Sequence, residues 1–453
     1  MANLEFNEFK DILFKQAKKE GFTDFEIYYT KGESFEISVY QNEIDNYSIN
    51  ASKGLGFRGI FNNQMGYSYT EILDEESISL LVNNAKSNAL IKDSDEKEII
   101  HAGDAYYEKI NCFNEELAKI GEREKIKLAL EMEDMTRKTD ERVKDINYCG
   151  IQSFEGEINI LNSRGLDLSH KANGIFAAIV PVIADGDNFK TAMAYKSSRN
   201  IGSINIRELT DEAVKKALSY IGAETVKTGI YRVILNSEAA LNLLHTYSDI
   251  FSADKVQKGM SLLKDKTGKE IGSKVLNIID DPLYSEGMAS TPFDDEGVAC
   301  YTKDVVKEGR LVTLLHNLKT ASKDGVKSTG NAARPSYSST IDISPSNFYI
   351  KPGESDLNVL LKEMQNGLLI TELEGLHAGA NTISGDFSLA AKGFEVIDGK
   401  VLRPVEQITV AGNFYQVMMD LEDVGSDIEF GLPSGRGYFG SPSLLIKKMS
   451  VAG

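Results

Sequence analysis

Several kinds of residue are scarce in this chain. Tryptophan is absent, and 453 residues include only five histidines and three cysteines. The cysteines (Cys112, Cys149 and Cys300) are odd in number and far apart, which argues against a disulfide framework. The amino terminus lacks the basic segment and small-residue cleavage site of a secretion signal. We therefore expect a cytoplasmic protein.

Long apolar runs and basic clusters are also missing. No stretch of eighteen apolar residues occurs, so we expect no membrane-spanning segment. The formal net charge is −18, and no long run of lysine and arginine interrupts the acidity. A phosphate backbone would be repelled at long range by such a protein. These absences argue against a membrane protein and against direct binding to nucleic acid.

The composition that remains is that of a globular protein with more than one core. Hydrophobic residues make up 42% and charged residues 26% of the chain. A length of 453 residues exceeds one ordinary core, so we expect two domains of roughly 200 residues. The segment "AETVKTG" after Gly222 resembles a linker, and we place the domains at 1–222 and 223–453.

The periodicity of apolar residues predicts an α+β protein. Its first domain combines helices with an antiparallel sheet, and its second is β-rich and barrel-like. Helical spacing covers residues 4–20, 75–90, 114–138 and 206–222, and strand alternation covers 142–195. We expect turns at Lys31-Gly32-Glu33 and near Asn62-Asn63. Residues 270–450 show short β-like runs with one helix near 355–366.

One helix carries a histidine that resembles the start of a metal site. The segment "LNLLHTYSDI" places His245 one turn after Leu241 and four residues before Asp249. Zinc needs about three protein ligands, and the other histidines show no short metal spacing. His245 is either a ligand with remote partners or a packed histidine bonded to Asp249 or to a backbone carbonyl. Cys300 is similarly either a soft ligand or a buried thiol.

The chain shows no Gly-x-Ser-x-Gly elbow, although a triad assembled from distant residues stays open. Three stretches are dense in glycine, asparagine and serine around short apolar strands: 328–350, 375–396 and 410–430. This composition fits the turns of a β-domain. It also fits a groove in which an extended peptide pairs with an exposed strand.

Together these stretches resemble the TldD/PmbA family of peptide-processing metalloproteases, once called modulators of DNA gyrase. The resemblance covers nearly the whole chain. It is carried by "KGLGFRGIF", "STGNAARP", "GDFSLAAKGFEV", the "AGN" of residues 411–413 and "DVGSDIEF". It implies an α/β amino-terminal domain, a β-rich barrel-like carboxy-terminal domain, and dimers.

The family resemblance also implies what should stand around His245. In the TldD-like branch, zinc is held by a His-Glu-x-x-x-His helix and a cysteine near the carboxy terminus. Here His245 takes the first histidine position, Thr246 replaces the glutamate and Ile250 replaces the second histidine. No cysteine follows Cys300. The chain therefore resembles the PmbA (TldE) branch, for which we expect no metal, no cofactor and no catalytic residue of its own.

This resemblance predicts the non-metal subunit of a peptidase that degrades or processes unfolded peptides and peptide precursors. Its expected partner is a TldD-like zinc subunit, with a homodimer formed in isolation. The alternative is a non-catalytic homodimeric scaffold that binds peptides. In either case we expect Gly385, Asp386 and Ser388 to lie near the peptide, since Asp386 and Ser388 share a strand face opposite Phe387. Turn capping by the same residues is the competing interpretation.

Overall fold

The computed structural model describes residues 4–92, 96, 98–435 and 437–453. Its elements up to residue 219 alternate between helices and long strands. They are α1 (Phe6–Lys19), β1 (Asp24–Tyr40), β2 (Glu43–Phe61), β3 (Gln64–Thr70), α2 (Glu75–Ile91), α3 (Glu115–Ala118), α4 (Glu122–Thr139), β4 (Val143–Asn162), β5 (Asp167–Asp185), β6 (Asn188–Thr191), β7 (Ala194–Ser198), a 3₁₀ turn (Ile201–Ser203) and α5 (Ile206–Ser219).

The elements after residue 228 are shorter and mostly strands. They are β8 (Gly229–Leu235), α6 (Ser237–Tyr247), a 3₁₀ turn (Ser248–Phe251), α7 (Ala253–Gln257), β9 (Ile278–Asp280), β10 (Lys303–Lys307), β11 (Arg310–Leu311), α8 (Leu318–Asp324), β12 (Ala332–Ala333), β13 (Asp342–Ile343), β14 (Asn347–Ile350), α9 (Leu357–Met364), β15 (Gly367–Glu374), α10 (Leu376–Gly379), β16 (Asp386–Ile397), β17 (Lys400–Asn413), α11 (Phe414–Met419), β18 (Leu421–Val424), β19 (Glu429–Phe430), β20 (Tyr438–Ser441) and β21 (Leu444–Ala452).

The strands β1 to β7 form one antiparallel sheet with the order β3-β2-β1-β4-β5-β6, and β7 also pairs with β5. Helices α1 and α2 pack against one end of the sheet, where Leu13, Phe57 and Leu81 are buried together. Helices α4 and α5 pack against its other end around Met132 and Ile151. The long strands therefore carry two separate apolar cores along one sheet.

The second half contains a closed five-stranded barrel, β17-β16-β15-β8-β21, which closes because β17 also pairs with β21. A six-stranded sheet, β11-β10-β9-β14-β20-β19, lies beside it. Helix α6 packs with Val233 and Leu235 of β8 in the largest core, and α9 packs on the opposite face against Ile234. The predicted α+β class with a barrel-like second half is confirmed. The division at residues 222 and 223 falls between α5 and β8 and stays a prediction.

The predicted turn at residues 31–33 is wrong, because β1 continues through it as far as Tyr40. Gly32 pairs with Ser52 on one side and Gly156 on the other. A Cβ at Gly32 would lie 2.8 Å from the carbonyl oxygen of Glu155, so this glycine permits close packing of adjacent strands. The turn lies instead at Gln41-Asn42, whereas the hairpin at Asn62-Asn63 is confirmed.

Two helix predictions also need correction. Residues 114–138 form two helices, α3 and α4, because the chain is interrupted before Gly121, which caps α4 in an extended conformation. Residues 270–450 contain α8, α10 and α11 besides the expected α9. These three span seven, four and six residues, too short to show a helical period in the sequence. Over the described residues, no helix is long and apolar enough to cross a membrane.

A buried group of charges joins the long sheet to the second half. Glu26 of β1 is completely buried, and its Oε1 accepts bonds from Arg58 Nε at 2.8 Å and Arg334 Nη2 at 2.7 Å. Arg58 also donates to Glu296 at 3.3 Å. The Arg334 guanidinium lies 4.5 Å from the ring centre of Tyr28. Residues more than 200 positions apart are thus held by charge-assisted hydrogen bonds in a dry environment.

We expect Arg334→Ala to lower the free energy of unfolding by about 3–5 kcal/mol, because it removes one of the two cations that compensate the buried Glu26 carboxylate. Chemical denaturation checks this value. The matched control is Lys138→Ala, whose exposed pair with Asp134 should contribute less than about 1 kcal/mol. Equal losses in the two variants would contradict a special role for the buried group.

Candidate functional site

Helix α6 follows directly from barrel strand β8. The side chain of Asn236 caps it by accepting a hydrogen bond from the Ala239 backbone N–H. Leu243, Leu244 and Tyr247 are buried, and the helix packs against β15, β19 and β20. The position of α6 is therefore set by apolar packing on several sides.

His245 lies in the last turn of α6, and its side chain is exposed to solvent on one side. Its ring stacks on Phe439 of β20, with centroids 4.2 Å apart and planes inclined by 22°. This partial burial lowers the pKa of His245, although the charge of Asp249 opposes the shift. The predicted hydrogen-bond partner, Asp249, lies 3.7 Å from Lys255 Nζ. The contact that the structure shows for His245 is thus with an aromatic ring, and its role as a packed residue or as a ligand stays a prediction.

The other two positions of the compared motif, Thr246 and Ile250, have no zinc-binding geometry. The Thr246 hydroxyl donates to the Asn242 carbonyl at 2.8 Å, which is the usual bond of a threonine within a helix. After Tyr247 the chain tightens into the 3₁₀ turn, and Ile250 is 1% exposed in the core. A hydroxyl that is already bonded and a buried hydrocarbon do not fit a zinc ion.

Other potential ligands do not complete a site. Cys300 is buried, and its Sγ lies 3.3 Å from the carbonyl oxygen of Gly330, as expected for a structural thiol. Throughout the described ranges, no group of three or more histidine, cysteine, aspartate or glutamate side chains is arranged to hold a metal ion.

Gly385 forms a tight turn just before β16. Its φ is +86°, a conformation that favours glycine, and its N–H donates to the Asn381 carbonyl at 2.9 Å. The Gly385 carbonyl accepts from the Phe414 N–H at 2.7 Å. A Cβ at this position would lie 2.6 Å from the ring of Tyr415. The group that approaches Gly385 closely is therefore a side chain of this same chain.

Asp386 and Ser388 are exposed while Phe387 is buried, as the two-residue period predicts. The Asp386 carboxylate accepts hydrogen bonds from Asn413 Nδ2 and Ser384 Oγ, each at 2.8 Å. These bonds, that of Asn413 first, lower the pKa of Asp386. The carboxylate thus caps its own turn, which leaves Ser388 as the less constrained of the two polar groups.

The structure brings the two predicted regions together. Tyr247 of α6 donates from its hydroxyl to the Asp386 carbonyl at 2.9 Å and stacks on Phe414, with ring centroids 4.6 Å apart. Helix α6 and the first residue of β16 are therefore neighbours. This contact could not be predicted from the sequence, because the two residues are 139 positions apart.

A cavity of about 510 Å³ lies between the long sheet and the loops of the second half. Tyr28 and His170 line it from the sheet, and Asp294, Arg334 and Tyr337 line it from the other side. Burial, and then the charge of Glu296, raises the pKa of Asp294. Sequence reasoning missed this cavity because its walls come from distant segments. The one available signal was "STGNAARP", whose last six residues lie in the wall.

A second cavity of about 870 Å³ opens at the amino-terminal end of α6, the end away from His245. Glu238, in the first turn of α6, lies 3.3 Å from Lys216 Nζ, which also pairs with Glu212 at 2.7 Å. Burial raises the pKa of Glu238 even though Lys216 opposes this shift. The facing wall is a stack of aromatic rings formed by Tyr284, Phe430 and Tyr438. A wall of charged side chains that faces a stack of aromatic rings can hold a polar ligand without a metal.

The fold is that of an α+β protein with a closed five-stranded barrel in its carboxy-terminal region. Three family models match in order: PmbA/TldA metallopeptidase domain 1 over residues 25–89, the central domain over 115–220 and the C-terminal domain over 228–453. The chain belongs to the PmbA/TldD family.

Known relatives match along nearly the full length. The chain is 27% identical to "Metalloprotease PmbA" of Escherichia coli O157:H7, over 94% of this chain and 92% of that one. It is 34% identical to a putative modulator of DNA gyrase from Thermotoga maritima, whose crystal structure superimposes with a TM-score of 0.91 over 99% and 100% of the two chains. TldE from Thermococcus kodakarensis shares the fold at 22% identity, with a TM-score of 0.89 over 98% and 100%.

We expect Gly385→Val to destabilise the protein, since valine would combine an unfavourable φ, costing on the order of 1–3 kcal/mol, with the contact against Tyr415. Thermal unfolding followed by circular dichroism measures the loss. Gly165→Val is the matched control, because Gly165 has a φ of +97° and no atom within 4 Å of a new Cβ. A smaller loss at Gly385 than at Gly165 would show that the Tyr415 ring is free to move away.

Proposed function

We propose that this chain is the subunit without a metal site in a two-subunit peptidase. Its partner is a TldD-like sister that carries zinc, and its substrates are unfolded peptides and peptide precursors. The observation that supports this proposal is the set of residues at positions 245, 246 and 250. A stacked histidine, a bonded threonine and a buried isoleucine leave zinc chemistry to another chain.

The family relationship supports the peptidase part of the proposal. Relatives are named metalloproteases of both the PmbA and the TldD type, and both match more than nine-tenths of this chain. Hydrolysis assisted by zinc requires about three protein ligands and an open position for water. This chain offers one of those ligands, so the active centre of the complex belongs to the partner.

Within the complex, this chain would help to hold the peptide. We propose that Ser388 and Asp386, exposed at the start of β16, contact the substrate, with Gly385 shaping the turn before them. The proposal includes a cytoplasmic location and a homodimer when the chain is isolated. The three cysteines are buried thiols, which is compatible with a reducing compartment.

The decisive experiment mixes this chain with the TldD-like protein of the same cell. We expect the two to co-purify, and we expect the mixture to cleave unstructured peptides while this chain alone does not. The matched control replaces the partner with a variant that has lost its zinc ligands. Chelator-sensitive cleavage by this chain alone would show that the roles have been assigned wrongly.

Metal content provides an independent check. We expect elemental analysis of the purified chain to find no stoichiometric zinc, because positions 246 and 250 supply no ligand. His245→Ala should change neither the metal content nor the activity of the mixture. One zinc per chain that is lost in His245→Ala would overturn the proposal.

A second candidate function is peptide binding by a homodimer without catalysis. The larger cavity favours it, because stacked tyrosine and phenylalanine rings beside carboxylates can bind a peptide without any metal. In the mixing experiment this candidate predicts peptide binding by the isolated chain and no cleavage after the partner is added.

A further inference from the structure

Strand β7 and the residue after it form one side of the 870 Å³ cavity. Tyr195, Ser197 and Arg199 alternate along this segment, so the two-residue period of a strand places their side chains on one face. Two of them reach the second half of the chain. The Ser197 and Tyr438 hydroxyls lie 3.0 Å apart, and Arg199 Nη1 donates to the Gly287 carbonyl at 2.5 Å. The three side chains therefore form a row, about 13 Å from first to last at about 3.3 Å per residue.

Arg199, at one end of the row, is a cation held by neutral groups. Its Nε donates to the Cys112 carbonyl at 2.9 Å, and Nη1 donates to the Gly287 carbonyl. Among the described residues, the buried Nη2 has no hydrogen-bond partner. Burial lowers the pKa of Arg199, although Cys112 and Glu286 oppose the shift. This guanidinium thus lines the cavity with unused hydrogen-bonding capacity, and its bonds to carbonyls leave its charge uncompensated.

The other end of the row, around Tyr195, is negative. Glu212 and Glu238 share the Nζ of Lys216, and Glu429 lines the same part of the cavity. Burial, and then the charges of Glu238 and Glu429, raise the pKa of Tyr195, so its ring lies near both carboxylates. Three carboxylates thus accompany one lysine, and a further cation would be favourable at this end.

We propose that this cavity binds short peptides of about four residues by both of their termini. The carboxylate of the peptide contacts Arg199, and its ammonium group lies between Glu238 and Glu429. The stacked rings of Tyr284, Phe430 and Tyr438 face the side chains of the peptide. An extended peptide advances about 3.3 Å per residue, so the row of about 13 Å corresponds to about four residues.

The two charged ends favour this ligand over others that would fit the volume. An inorganic anion would compensate Arg199 and leave the acidic end as it is, whereas a polyamine would do the reverse. The termini of a long chain are too far apart to reach both ends together. The inference deepens the peptide-binding part of the proposed function and rests on it for the source of the ligand, since a peptidase releases fragments with two free termini.

Calorimetric titration of the isolated chain tests the two ends separately. The probe is alanyl-phenylalanyl-alanyl-alanine with free termini, which we expect to bind. Amidation of its carboxy terminus or acetylation of its amino terminus should each weaken binding by about tenfold or more, because each removes a charged contact. A peptide of twice the length should bind no better than these blocked forms. Equal binding of the free and the blocked tetrapeptides overturns the proposal.

Two substitutions assign the ends. Arg199→Gln should abolish the preference for a free over an amidated carboxy terminus, and Arg199→Lys, which keeps the charge, should retain part of it. Glu238→Gln keeps the shape of the side chain and should abolish only the preference for a free amino terminus. The matched control is Arg310→Gln, which removes an exposed arginine paired with Glu270 and should change neither preference.

A folded Arg199→Gln chain that still prefers the free carboxy terminus overturns the proposal, and the blocked peptides decide the matter on the wild type if that variant does not fold. The titration needs no partner subunit. Tetrapeptide binding without cleavage in the mixing experiment would therefore contradict the peptidase role alone. Cleavage by the mixture without tetrapeptide binding would contradict this inference alone.

Discussion

The carboxylate of Glu26 is the interaction on which the arrangement of the two halves depends. It has no exposed surface, and two arginines share one of its oxygens. Burying a charge costs several kcal/mol unless partners compensate it. Arg58 is its cross-strand neighbour in the sheet, whereas Arg334 comes from the second half of the chain. The favourable state of this carboxylate therefore exists only when the halves are docked in one orientation.

That orientation also creates the cavity between the halves. Arg334 and Tyr28 belong to the charged group and to the cavity wall at the same time. Asp295 adds hydrogen bonds to the same contact between the halves. Its carboxylate accepts one from the Tyr28 hydroxyl at 3.1 Å and one from the Arg334 backbone N–H at 2.6 Å. Polar contacts of this kind are directional, so they fix the geometry of the wall more closely than apolar contacts alone would. The cavity is thus shaped by the docking of the two halves.

Features set by neighbours in sequence could be predicted, and features set by distant pairs could not. The hairpin at Asn62-Asn63 and the alternation at Asp386, Phe387 and Ser388 follow from local periodicity. The sequence predicts a turn at Gly32 because a glycine needed for close strand packing resembles a turn glycine when its neighbours are unknown. The pairing of Glu26 with Arg334 spans 308 positions and leaves no periodic trace. At the candidate site, the sequence alone shows the residue types at positions 245, 246 and 250. It does not predict the hydrogen bond between Tyr247 and Asp386.

Packing, as well as residue type, determines what position 250 can do. Five residues along a regular helix turn the chain by about 140° beyond one revolution, so positions 245 and 250 face different directions unless the helix is distorted. Here α6 does give way to a 3₁₀ turn after Tyr247, but the distortion directs Ile250 into the core beside Phe251. A polar side chain at position 250 would be buried without a partner, which is costly. The same core contacts that hold α6 against the barrel therefore keep the side chain at position 250 buried.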